Sequence, residues 1–432
     1  MSIKNKIIKN ASWIIVCRLV QAFFNLFISM IIARFLGPAN FGIINYAESV
    51  AAFVGPIMQL GLSNILVHHL VNHKDEEGMI IGTSLCSCLF SGILCMTAVA
   101  VFSGVVNHGE TETILVCILY SFMLLAQAIE IVAYWFEAHL MSKYTSVISL
   151  CAYIAISAYK IFLLATGKSI YWFAVSNALD HLLIGIAQLV LYKKLGGAKL
   201  TFSFKCFKDM FGKSKYYILS GMMIAVFSQT DRVMLKLMIG NAVTGYYSAA
   251  VRCADLTAFV FVAIINSAIP VIYESRKKGI GPFENNMKRL YSIVMYIAFA
   301  QSFAITVLSK PIIYILYGKE YMAAVPALCI ITWYIAFSYM GMLRNRWMLA
   351  EGIQHLIWRI DLSGAIANVI LNLLLIPRFS LVGAAVASLI TQIFTNFILG
   401  WIIKDVRRNN QILMESLNPK VLIELVKSIL KK

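Results

Sequence analysis

Apolar residues run along this chain in long blocks separated by short polar breaks. Twelve of the blocks are long enough to cross the ~30 Å hydrocarbon core of a bilayer. They fall at 11–36, 41–66, 79–105, 113–136, 145–166, 170–192, 216–239, 246–273, 290–309, 323–343, 360–376 and 381–403. Polar residues inside the blocks recur at helical spacing, so the pattern predicts an all-α, polytopic membrane protein of about twelve transmembrane helices. The first block carries Arg18, exceeds the length of a signal-peptide core and leads straight into another block, so it is expected to be a span and not a cleavable leader.

Composition supports this class. Of 432 residues, 60% are hydrophobic and 13% charged, against about 25% charged in soluble chains. The basic residues set an orientation. With both termini inside, the inner segments hold 27 of the 37 Lys and Arg, and the outer loops hold only Lys168, Lys310, Lys319 and Arg378. That asymmetry predicts cytoplasmic N- and C-termini in a multi-pass protein of the cytoplasmic membrane. The net charge of +17 then reflects topology and contact with anionic membrane lipid, and no nucleic acid is implied. Eight of the nine cysteines fall inside spans and Cys206 in an inner segment, so no disulfide framework is expected.

The stretch 193–215, KKLGGAKLTFSFKCFKDMFGKSK, carries seven lysines against one acid and follows six spans. It divides the chain into an N-terminal lobe (1–192), a basic linker (193–215), a C-terminal lobe (216–403) and a tail (404–432). The two lobes share a faint repeat. LGPANFGIINYAES after span 1 matches IGNAVTGYYSAAVR after span 7, with Gly37 and Gly42 against Gly240 and Gly245. Glycine supplies the positive φ that a tight turn between spans needs. Both repeats start on the same side, which predicts two six-helix lobes related by a pseudo-twofold along the membrane normal. In the tail, Leu422, Leu425, Val426 and Ile429 form an apolar stripe opposite Lys420, Glu424, Lys427 and Lys431. An interfacial helix is expected there, with a partner-binding helix as the alternative.

The helical period groups the polar residues inside the spans. Arg18, Gln21 and Asn25 share a face of span 1, and Asn45 and Glu48 lie one turn apart in span 2. Span 4 offers Gln127, Glu130 and Tyr134, span 5 offers Ser157 and Lys160, and span 6 offers Asn177, Asp180 and His181. Span 7 presents Gln229, Arg232 and Lys236 on one face with Asp231 aside, and span 8 presents Arg252 and Asp255. Spans 11 and 12 add Asp361, Asn368 and Asn372, then Gln392 and Asn396. Even ten of these charges facing lipid would cost roughly 25–35 kcal/mol, so they must face helices or a hydrated central cavity. Pairwise neutralisation is the plainer account: Glu48 with Arg18, Glu130 with Lys160, Asp255 with Arg252. The other account is a cationic path, because guanidinium groups bind phosphate through two parallel hydrogen bonds.

Two stretches invite chemistry but do not support it. VHHLVNH (67–73) lies in an inner loop without metal-ligand context, and GIGPFE (279–284) is expected to be a turn. No nucleophile–base pair, metal site or phosphate loop stands out, so neither a catalytic residue nor a metal is predicted.

The stretches NASWIIVCRLVQAFFNLFISMIIARFLGPANFGIINYAES (10–49), TDRVMLKLMIGNAVTGYYSAAVR (230–252), LYGKEYMAAVPAL (316–328) and IPRFSLVGAAVAS (376–388) together resemble the Wzx-type flippases of the multidrug/oligosaccharidyl-lipid/polysaccharide exporter superfamily. The resemblance covers essentially the whole chain. It implies two helical lobes around a central cavity, alternating access, and an undecaprenyl-pyrophosphate-linked oligosaccharide moved from the inner to the outer leaflet. It implies a transporter rather than an enzyme. The charges at the resembling positions are Arg18, Arg34, Glu48, Asp231, Arg232 and Arg252, and Arg34 sits where it can snorkel.

The substrate path is therefore expected to use Arg18, Gln21, Asn25, Lys160, Gln229, Arg232, Lys236 and Arg252. Coupling or charge pairing is expected of Glu48, Glu130, Asp180, Asp231, Asp255 and Asp361. No cofactor is called for beyond a proton, a sodium ion or the membrane potential, and other polysaccharide-assembly membrane proteins are possible partners. A multidrug antiporter of the same superfamily is the main alternative. A polysaccharide polymerase or ligase is a weaker one, since no sizeable outer loop is present to carry its catalytic residues.

Overall fold

The computed structural model describes residues 3–423, with side chains from residue 27 onward (Asn64 excepted) and earlier only at Cys17, Val20, Gln21, Phe24 and Asn25. The Arg18 side chain and the tail beyond Ile423 lie outside the described residues, and with them most of the expected amphipathic stripe.

The described chain is helical throughout, without a strand. Nine helices among the described residues are long and apolar enough to cross a membrane by length and composition. Their breaks follow the local chemistry. Gly37 (φ 72°) interrupts the helical run Ile3–Met58, and Pro38 restarts it, where its missing N–H costs no hydrogen bond. Gly240 (φ 131°) plays the same part ahead of Asn241–Ala254. The two turns expected from the repeat are thus built on the first glycine of each pair. Gly42 and Gly245 are instead buried inside the following helices. A third break, at Ser380 (φ 53°), divides Ile357–Ile393.

Two expectations need correction. GIGPFE is a helix start: Gly279 caps Ile280–Tyr317, and only Lys278 and Gly279 separate it from the preceding helix, Ala258–Lys277. VHHLVNH is largely a short helix, Leu66–Asn72, because Leu66 and Leu70 sit one turn apart and bury together.

The chain forms two compact units, 1–233 and 234–432, divided within the helix Phe204–Met238. In the first unit, Ile43, Tyr46, Ala47 and Val50 pack with Tyr120, Leu163 and Phe173. A second cluster joins Met58, Leu62, Leu66 and Leu70 to Trp135, Phe136, Tyr192 and Met210. The basic segment after Ile170–Lys194 is tied down. Tyr192 Oη donates to Ala198 O at 2.6 Å, Thr201 N to Gly78 O at 3.3 Å, and Ser203 N to Thr83 Oγ1 at 3.0 Å.

In the second unit, Phe261 stacks on Tyr339 with centroids 4.1 Å apart. The helix Arg407–Ser416 docks against Ile280–Tyr317. Tyr291 Oη donates to Asn409 Oδ1 at 2.9 Å and Tyr296 Oη to Leu417 O at 2.7 Å, while Arg408 pairs with Glu284. In both units large apolar side chains such as Phe90, Val105, Phe303 and Ile315 point outward, the surface a lipid solvent permits.

Candidate transport site

Within the first unit, polar groups converge where the helix Thr111–Ile129 tightens into a 3-10 turn at Glu130–Val132 before continuing as Ala133–Ala138. Glu130 Oε1 lies 2.6 Å from His181 Nδ1, and Gln127 Nε2 lies 3.2 Å from His181 Nε2. With the amide nitrogen donating to Nε2, the imidazole proton sits on Nδ1 and points at the carboxylate. Asp180 adjoins this pair, and its Oδ1 is buried without a hydrogen-bond partner among the described residues. Lys160 Nζ donates to Asn177 Oδ1 at 3.0 Å, one turn before His181. Glu130 thus meets His181, and Lys160 meets an amide.

The pair opens onto a cavity of about 220 Å³ lined by Gln59, Ser63, Gln127, Glu130, Tyr134, Glu137 and His181 among others. A second cavity, about 290 Å³, shares Gln59 and Ser63 with the first and reaches Gly55, Pro56, Tyr217 and Gly221. The carboxylate–imidazole pair therefore has a polar approach within one unit.

The second cluster of the first unit joins the 38–58 segment to Phe204–Met238. Gln229 Oε1 accepts from Ser49 Oγ at 2.9 Å and from Arg232 Nη1 at 2.9 Å. Among the described residues no carboxylate lies within ion-pairing distance of Arg232, and its Nε is buried without a partner. Asp231, the adjacent acid, is itself buried. A neutral amide fixes the guanidinium in place but leaves its charge uncompensated. Gln21 is half-buried, Asn25 is exposed, and Glu48 is half-buried.

In the second unit Lys236 is buried, Arg252 is half-buried and Asp255 is exposed. The dominant charge there was not among the expected site residues. Arg344 is only 2% exposed. Its Nη1 donates to Thr395 O at 2.6 Å and to Asn396 Oδ1 at 3.1 Å, and its Nε and Nη2 reach Asn345 Oδ1 at 3.3 and 3.0 Å. Asp361 Oδ1 lies 4.0 Å from Nη2 and remains 39% exposed. Thr395 belongs to a π-helical segment, Phe394–Ile398, whose wider turn frees carbonyls from the regular ladder. Arg344 takes one of them, and Asn410 Nδ2 takes another, Phe397 O, at 2.6 Å.

The apolar block was expected to end at 343, which placed Arg344 in an inner loop. The helix Val325–Ala350 in fact continues two turns further. The available signal was the spacing of Trp347 and Met348, both buried, which extends the apolar pattern past Arg344. A polar ladder runs nearby: Asn368 Nδ2 donates to Ser388 Oγ at 3.2 Å, and Asn372 Nδ2 to Asn368 Oδ1 at 3.1 Å.

Residues 7–276 match the family model described as polysaccharide biosynthesis protein. The chain is 22% identical over 395 residues to the capsular polysaccharide biosynthesis protein CapF of Staphylococcus aureus, covering 89% of this chain and 96% of that one. It is 25% identical over 229 residues to the probable low-salt glycan biosynthesis flippase Agl15 of Haloferax volcanii, covering 50% and 47%. It thus spans about half the length of that relative, and 53% of an uncharacterized membrane protein of Methanocaldococcus jannaschii. Among solved structures, the lipid II flippase MurJ in an inward closed conformation superposes with a TM-score of 0.73 at 16% identity, over 95% of this chain and 92% of that one. An inward-facing multidrug resistance MATE family transporter of the MOP superfamily gives 0.69 at 12% identity, over 93% and 99%. At these identities the structural likeness concerns the fold.

Proposed function

Because the chain belongs to the polysaccharide biosynthesis protein family, we propose that it is a flippase for undecaprenyl-pyrophosphate-linked oligosaccharide repeat units. It carries them from the inner to the outer leaflet of the cytoplasmic membrane by alternating access, for assembly of a surface polysaccharide. Both termini are cytoplasmic in this reading. The observation that carries it is Arg232, a guanidinium within the expected span 216–239 that is held by the neutral amide of Gln229. A neutral amide does not cancel the charge of this half-buried guanidinium, whose fork suits a pyrophosphate. Lys160, which donates to Asn177 Oδ1, adds a second cation within the same unit.

Outward movement of an anion is favoured by a negative-inside potential by about 2.3 kcal/mol per charge per 100 mV. Glu130 and His181, with Asp180 beside them, supply a proton-exchange group through which a pH gradient adds to that drive.

A deletion strain tests the function: lipid-linked repeat units accumulate in the inner leaflet and surface polysaccharide is lost. Complementation with Arg232→Gln leaves the block in place although the protein inserts, and Glu130→Gln removes the dependence of export on the pH gradient. Normal surface polysaccharide in the deletion strain, with altered drug sensitivity, would refute the flippase reading. That result would favour a multidrug antiporter, for which the cavity lined by Glu130 and Glu137 is the supporting observation.

A further inference from the structure

The helix Phe204–Met238 has 35 residues, about 52 Å at 1.5 Å per residue. That exceeds the ~30 Å hydrocarbon core by roughly 20 Å. Its far end closes immediately into the Gly240 turn, so the excess lies at the N-terminal end, across residues 204–217. This end is oriented by one face. Met210 and Ser214 are fully buried, and Ser214 Oγ donates to Leu60 O at 2.8 Å. The tethered segment 198–203 holds the preceding residues against Gly78 and Thr83.

An aromatic ladder flanks this buried face and leads out to the surface: Phe207 and Phe211 are half-buried and Phe204 is exposed. Phe204 and Phe207 have centroids 6.0 Å apart, and Phe207 and Phe211 stack at 5.5 Å. Phe204 is 69% exposed and Tyr216 72%. Lys205, Lys208 and Lys215 are exposed beside them, and Lys215 Nζ lies 5.2 Å from the Tyr216 ring centroid. Asp209 is the one acid in 193–215, and Lys213 engages it at 2.8 Å. The surface is therefore strongly cationic, carries the exposed rings of Phe204 and Tyr216, and is continuous with the stretch 216–239 expected from sequence to be a span, although Phe204–Met238 is not among the nine helices that are long and apolar enough by composition.

We propose that this face is a docking surface for the headgroups of anionic phospholipid, with the Phe204–Phe207–Phe211 ladder lying at the headgroup–acyl boundary and the lysines on the phosphates. Aromatic rings settle at that depth, and lysines near an anionic leaflet are drawn to it. A water-exposed protein partner fits less well, because the ladder runs straight into the apolar part of its own helix. The inference stands independently of the transported substrate.

Phe204→Trp, reconstituted in vesicles, reports the contact as the increment in fluorescence over the parent's own tryptophans. Brominated phosphatidylglycerol is expected to quench that increment at least twofold more than brominated phosphatidylcholine at equal mole fraction. Adding Lys205→Gln, Lys208→Gln and Lys215→Gln, all at exposed positions, should abolish the difference while helicity by circular dichroism is kept. Absence of quenching by either lipid would place the ladder in water or against protein and overturn the proposal. Equal quenching by both lipids, or a difference that survives the three glutamines, would remove headgroup selection. Relief of quenching by inorganic pyrophosphate at constant ionic strength would assign the site to free phosphate instead.

Discussion

Replacing Arg344 by alanine removes the most deeply buried cation among the described residues of the second unit. The guanidinium satisfies Thr395 O and Asn396 Oδ1, both on buried residues. A buried acceptor left without a partner costs about 1–3 kcal/mol, and removing one member of a buried charged network costs about 3–5 kcal/mol. The ion pair with Asp361 contributes little, since it spans 4.0 Å and the carboxylate is 39% exposed. A loss of about 3–4 kcal/mol results, mostly from the π-helical carbonyl and the amide. For a unit of this size that is a fall in melting temperature of about 6–15 °C. Thermal unfolding in detergent micelles measures it directly. Double-mutant cycles apportion it: coupling of Arg344 to Asn396 should exceed its coupling to Asp361. Melting of Arg344→Ala within a degree or so of the parent would mean that the freed carbonyl is satisfied another way, and the reasoning would fail.

The same geometry sets other outcomes. A Cβ at Gly341 would lie under 3.0 Å from the Asn396 side chain, so Gly341→Ala should cost about 1–3 kcal/mol by overpacking, read by the same melting assay. Gly240→Ala must hold an L-residue at φ 131°. Its cost of about 1–3 kcal/mol should exceed that of alanine at Gly212, a helical position with open space, when the two are melted side by side. Burial, then the charge of Lys213, pushes the His69 imidazole below its usual pKa, with His73 and His68 acting the same way and Asp209 against them. The folded state therefore binds fewer protons than the unfolded one, so stability holds above about pH 6.5 and falls as pH drops below it. His69→Gln should flatten that acid limb, and an unchanged limb would exonerate the residue.

The sequence pattern was most informative where one physical constraint dominated. The hydrocarbon core demands long apolar helices, so the all-α membrane class and the positions of the Gly37 and Gly240 turns were legible. The partners of buried charges were not. Periodicity assigns a residue to a face of its own helix but says nothing of which helix faces it. Glu130 was thus expected to neutralise Lys160, whereas the neighbouring His181 is the group that reaches it. Arg344 was missed because an arginine ended the apolar count, although a charge satisfied by backbone and amide oxygens can sit inside a helix. The break at Ser380 was legible, because the apolar blocks stop at 376 and restart at 381 with Pro377 between them; the π-helical segment was not, since nothing in FTNFI signals a wider turn.

The segment Phe394–Ile398 also fixes phase along its helix. Each residue of a regular α-helix advances the side chains by about 100°, and a π turn absorbs one residue more before the helix resumes. Just beyond it lies Gly400, where a Cβ would collide with the Asn410 side chain, so the helix must present hydrogen, and nothing larger, at that azimuth. Deleting a single residue between 394 and 398 would leave a better helix and a worse protein: Gly400 would rotate away and a bulky neighbour would swing against Asn410. A one-residue length difference between kindred chains is therefore accommodated here only if the glycine and the asparagine change with it.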